Sequence, residues 1–255
     1  MTHSLSHTPI WNGLPARQRP WAMLAVAFGV GTAVINGAIV NVVLPTLSVD
    51  MGVSSADSVW AVNSFQLATV MSLLTFSSLG ERIGYRRIYI FGLTIFALAT
   101  LGCALSVNFP MLVLFRALAG IGAAAVTSIN TTIIRIIYPV DRLARGLSLN
   151  ATIVALSSVA GPSVAAAVLS VASWPWLFAV NIPIAAIALV LSMRFLPDNP
   201  VAARRGRLNK VDCLLNAITF GLLILCIEAL SHNVSWWVVA MMFVTLLIVG
   251  RYYVV

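Results

Sequence analysis

The chain repeats one pattern eight times, a run of apolar residues long enough for a membrane-crossing helix. The runs lie near residues 22–44, 59–79, 88–107, 111–134, 147–170, 175–196, 211–230 and 235–250. A helix needs about 20 such residues to cross the hydrocarbon core. Within lipid every backbone N–H and C=O must be satisfied internally, so a spanning segment is a helix or a strand of a closed barrel. Barrel strands alternate apolar and polar residues, and these runs do not. Charged residues make up 9% of the chain, against about 25% in soluble domains. The expected fold is therefore an all-α integral membrane protein whose surrounding partner is the lipid bilayer.

The gaps between runs set its orientation. Arg17 and Arg19 precede the first run. Arg82, Arg86 and Arg87 follow the second, and Arg135, Arg142 and Arg145 follow the fourth. Arg194, Arg204, Arg205, Arg207 and Lys210 follow the sixth. Arg251 follows the eighth, and the other gaps hold neither Lys nor Arg. Cytoplasmic loops collect these residues. The reading is a multi-pass protein of the cell (inner or plasma) membrane with both termini cytoplasmic. The same alternation accounts for the formal charge of +8. The basic residues form no stripe or tail, so no nucleic acid is expected as a partner. Cys103, Cys213 and Cys226 have no CxxC spacing, which argues against a metal site or a disulfide framework. His3, His7 and His232 lie in tails or loops and no hydrolase or phosphate-loop motif is present, so no catalytic residue and no cofactor are assigned.

Four features inside this frame carry chemistry. Between the second and third runs, SSLGERIGYRRIY forms a short charged turn. It would fix topology by charge alone. In the fourth run Arg116 is the one charge well inside the first six runs. A charge there is costly and functional by default, although a guanidinium two turns from Pro110 could also snorkel to the interface. The fifth run carries Gly161-Pro162 in mid-helix, which removes a backbone hydrogen bond; ordinary kinking explains it equally well. Asn36, Asn41, Gln66 and Asn130 lie in apolar runs and either join helices by hydrogen bonds or line a wet path.

These segments together resemble the major facilitator superfamily. Arg82, Gly84 and Arg86 match its G-x-L-x-D-R-x-G-R-R turn, with Glu81 for Asp and Ser77 for the first Gly. Arg116, Gly120 and Gly122 match R-x-x-Q-G-x-G, with Ala119 for Gln. Gly161 and Pro162 match the antiporter motif G-x-x-x-G-P-x-x-G-G, with Ser157, Ala165 and Ala166 at other glycines. INGAIVNVVLP, SVWAVNSFQLATV and SWPWLFAVNIP are similar to segments of fourteen-span drug:proton antiporters, with Asn36 where that group commonly has Asp.

The resemblance implies a cytoplasmic tail over 1–21 and a six-helix bundle over 22–196. It further implies a cytoplasmic linker over 197–210 and two additional helices over 211–255. The second bundle of a complete transporter is absent from this arrangement. It implies efflux of small amphipathic compounds by antiport, with the proton gradient as energy source and no bound cofactor. Asn36, Asn41, Gln66, Arg116 and Asn130 are then expected at the substrate cavity. Glu81, Arg82, Gly84, Arg86, Gly120, Gly161 and Pro162 are expected to act in gating. An amide at position 36 cannot carry a proton, and the first six runs hold no acidic residue in their interior; a carboxylate in a missing C-terminal half would have to serve. The alternative expectation is a truncated, non-transporting membrane protein or a half-subunit that binds a partner.

Overall fold

The computed structural model describes residues 13–198. The last two runs and most of the linker lie outside these residues. The described elements are α1 (Arg19–Asp50), α2 (Ser55–Ser58), α3 (Trp60–Ile83), α4 (Tyr85–Ala104) and α5 (Phe109–Ile137). A 3-10 turn (Val140–Arg142), α6 (Leu143–Leu169), α7 (Pro175–Ala179) and α8 (Asn181–Phe195) complete them. With α2–α3, the turn plus α6, and α7–α8 each taken together, six spans are long and apolar enough to cross a membrane. They coincide with the first six runs. The described part is all α-helical.

The helix starts follow local chemistry. Pro20 lies in the first turn of α1 and Pro110 in that of α5, where a missing N–H costs nothing. Asn108 caps α5, its side-chain oxygen accepting from Met111 N at 2.9 Å. Two boundaries differ from the sequence reading. Residues 19–21 belong to α1, not to the tail. The first run lies at 22–44, but Pro45 directly after it lies inside α1, which continues to Asp50. Its ring is exposed, so it displaces no neighbouring helix, and one lost backbone bond is tolerated within a long apolar helix. The sixth span breaks at Val180. Pro183 has no N–H to offer Ala179, and Asn181 Nδ2 instead donates to the Leu177 carbonyl at 2.9 Å.

The hub of the bundle is α5. Its run AGIGAAA puts small residues on two faces. A Cβ at Gly122 would lie 2.6 Å from Phe96 N, and one at Gly92 would lie 2.6 Å from the Ala125 Cβ. These contacts bring α4 and α5 backbone to backbone. A Cβ at Gly120 would collide with the Phe65 carbonyl oxygen, and Thr69 Oγ1 donates to the Gly120 carbonyl at 3.1 Å; α3 therefore packs just as closely. Small-residue contacts of this kind let membrane helices associate by dispersion without a hydrophobic driving force.

The arginine-rich connections gather at one end. Leu14 N donates to the Ile137 carbonyl at 3.0 Å, tying the segment before α1 to the end of α5. Arg86 Nη1 pairs with Asp198 at 2.6 Å, and Arg86 Nη2 donates to the Met193 carbonyl. The start of α4 is thereby tied to the end of α8.

Candidate functional site

A cationic group lies in the interior between four spans. Arg116 projects from α5 and is fully buried. Its Nε donates to the Ala61 carbonyl of α3 at 2.7 Å, and its Nη1 donates to Asn36 Oδ1 of α1 at 2.5 Å. The guanidinium lies over the Phe65 ring, 4.3 Å from its centroid, and 6.0 Å from that of Phe178 in α7. Arg116 Nη2 and Asn36 Nδ2 have no hydrogen-bond partner among the described residues. A desolvated guanidinium over an aromatic face gains about 2 kcal/mol, which offsets part of the cost of its burial.

The acidic side chains of the described residues are remote from this interior. Asp50, Asp57, Glu81, Asp141 and Asp198 stand at or next to helix ends. Among the described residues the charge of Arg116 is therefore met by an amide, a carbonyl and two rings rather than by a carboxylate. Sequence reasoning named Arg116 and Asn36 but missed Ala61, Phe65 and Phe178. Ala61 and Phe65 are four apart, so they share the α3 face that meets α5; that spacing was visible. The partnership of Phe178 was not, because it depends on how α7 docks.

The other expected cavity residues do not contact Arg116 through any described hydrogen bond. Asn130 Nδ2 donates to Asn150 Oδ1 at 2.9 Å, joining α5 to α6. Asn41 and Gln66 are exposed on α1 and α3. Among the expected gating residues, Glu81 and Arg82 are exposed at the end of α3. Gly84 joins α3 to α4 with φ of +118°, a conformation that side chains with a Cβ rarely adopt. Arg86 has found Asp198, which sequence reasoning did not name. Gly161 is buried against α1, where a Cβ would lie 2.7 Å from the Ala38 Cβ. Pro162 is exposed in an unbroken α6. One turn away from Gly161, Ser157 faces Gly31, so the closest contacts of the α1–α6 seam are between small residues.

Comparison with known proteins fits this architecture. A family profile described as Major Facilitator Superfamily matches residues 26–254. An uncharacterized transporter of Escherichia coli (strain K12), YebQ, is 47% identical over 95% of this chain and 53% of its own length. The tetracenomycin C resistance and export protein of Streptomyces glaucescens is 32% identical over 76% of this chain and 36% of its own length. The chain thus spans about half or less of these relatives' length. Among solved structures, a bacterial homologue of the human lysosomal transporter Spinster, inward-facing and unoccupied, superposes with a TM-score of 0.58. It is 20% identical, over 73% of this chain and 45% of that one, a likeness of fold alone.

Proposed function

Because the chain belongs to the major facilitator superfamily, we propose that it forms the N-terminal bundle, with two further spans, of an exporter of small amphipathic compounds working by antiport. The observation that carries this reading is the seam between α1 and α6. Gly161 meets Ala38 and Ser157 meets Gly31, beside a proline that frees one carbonyl of α6. A relative named for resistance and export to tetracenomycin C shares 32% of its residues over most of this chain, which supports outward movement of an organic compound. Alternating access rocks one bundle against another, so transport belongs to this bundle together with a second one.

Energy coupling is assigned to the proton gradient, with the proton carried outside the six described spans. Asn36 occupies the place next to Arg116 where a carboxylate would titrate, and an amide has no proton to exchange. The test is efflux of a fluorescent amphipathic cation or neutral dye from inverted vesicles containing the full-length protein. Outward transport should stop when an ionophore collapses the pH gradient. Transport unaffected by the ionophore would overturn proton coupling, and dye movement equal to that of empty vesicles would overturn export of such compounds.

A further inference from the structure

At the arginine-rich end, α1 and α6 part to leave a cavity of about 500 Å³. Its walls are apolar, with Leu24 on one side and Leu149 and Ile153 on the other. Arg19, Arg142 and Arg145 stand where the two helices begin, at its mouth. Arg19 is half-buried and its Nε donates to the Leu14 carbonyl at 2.6 Å. Arg142 lies 3.7 Å from Asp141, both of them well exposed. Among the described residues, Arg19 and Arg145 have no carboxylate within ion-pair distance.

The charges are placed against the local field. Both helices present their N-termini here, and neither has an acidic residue in its first turn. A helix N-terminus carries roughly half a positive charge, so basic residues beside it repel it. Three guanidinium groups and two helix starts thus converge above an apolar cleft. Leu24 and Leu149, each 42% exposed, continue the cleft onto the outer surface of the bundle. Topogenic charge explains why arginines are at this end. It does not explain an apolar cleft directly beneath them.

We infer that this cleft is a binding site for an anionic glycerophospholipid of the adjacent leaflet. Its phosphate is held by Arg19, Arg142 and Arg145, and an acyl chain lies along Leu24, Leu149 and Ile153. Charge complementarity selects the head group, and basic pockets between spans hold anionic lipids for this reason. The apolar walls select a lipid over a free phosphate. The inference concerns the α1–α6 cleft alone and does not depend on what the protein exports.

The test is native mass spectrometry of the full-length protein extracted from vesicles of equal phosphatidylglycerol and phosphatidylethanolamine. Phosphatidylglycerol should be retained preferentially. Arg142→Gln and Arg145→Gln should each lower its retention about fivefold, while Arg145→Lys should keep most of it. Leu149→Trp fills the cleft and leaves every arginine in place; it should abolish the preference with an unchanged melting temperature. Equal retention of the two lipids would overturn the inference. So would wild-type retention in Leu149→Trp, which would leave only surface charge at work. A cleft closed by another segment of the protein would show as no retained lipid together with protection of a cysteine at position 149 from labelling, and that result would overturn it too.

Discussion

Arg116 of α5 and Asn36 of α1 form a buried charged–neutral pair, with guanidinium Nη1 and amide Oδ1 2.5 Å apart. A carboxylate at position 36 would neutralise the guanidinium. The amide leaves a fixed positive charge among four helices. Among the described residues that charge is held by shape, through the fork of donors and the Phe65 face, and not by ion pairing.

Arg116→Lys is the substitution that separates shape from charge. Lysine keeps the charge but has no Nε to reach Ala61 and no plane to lie over Phe65. The Lys variant should insert normally yet fail to restore efflux, and it should melt lower by an amount corresponding to about 1.5–3 kcal/mol, one charged hydrogen bond. Arg116→Ala should still insert and fold. Full efflux and an unchanged melting temperature in the Lys variant would show that only a charge is needed.

Asn36→Leu removes the acceptor and leaves Nη1 buried without a partner. The expected loss is about 1–3 kcal/mol, read as a lower melting temperature. In the Arg116→Ala background the same substitution should cost much less, because no donor remains to be orphaned. Equal costs in both backgrounds would mean that the two residues do not act as a pair.

Gly120→Val should damage the bundle more than Gly161→Ala. At Gly120 the added side chain meets the Phe65 carbonyl, which cannot move without moving α3. At Gly161 it meets the methyl of Ala38 at 2.7 Å, and α6 can shift outward because its far face is exposed. Overpacking costs typically about 1–3 kcal/mol. Membrane abundance should fall for Gly120→Val and hold for Gly161→Ala. The reverse order would contradict α5 as the hub.

The Arg86–Asp198 ion pair should contribute little to stability. Asp198 is 87% exposed and Arg86 30%, and exposed pairs are worth about 0–1 kcal/mol. A double-mutant cycle with Arg86→Gln and Asp198→Asn should give a coupling energy below about 1 kcal/mol. A larger value would make this pair, and not the apolar packing, what holds α4 to the end of α8.

Orientation is open to a direct check. With Cys103, Cys213 and Cys226 replaced, Ser54→Cys should react with an impermeant thiol reagent added outside cells. Ile83→Cys should react only after permeabilisation. Both side chains are exposed, so burial cannot mask the result. The opposite pattern would invert the assigned topology.

The spans were legible because length and apolarity set them, and both are properties of single segments. The hub role of α5 was half legible: Gly120 and Gly122 stood out as a matched motif, but that the first meets α3 and the second α4 did not follow from it. Phe178 and Asp198 could not be read as partners of Arg116 and Arg86, since those contacts depend on how the sixth span docks. The first helix runs past the apolar run through Pro45 because that ring is exposed and meets no neighbour, which a count of apolar residues does not show. Asn36 is buried while Asn41 and Gln66 are exposed, a difference set by helix rotation: residues five apart do not share a helix face.

The seam between α1 and α6 has a mechanical consequence. The buried residues of α6 are Gly146, Ser157, Gly161 and Ala165, none larger than serine. Larger side chains, Leu147, Ile153, Val154, Val164 and Val168, are only partly buried and flank this strip. α5, clasped by α3 and α4 backbone to backbone, is an axle; α6 rides on α1 along a smooth track of small residues between raised rims.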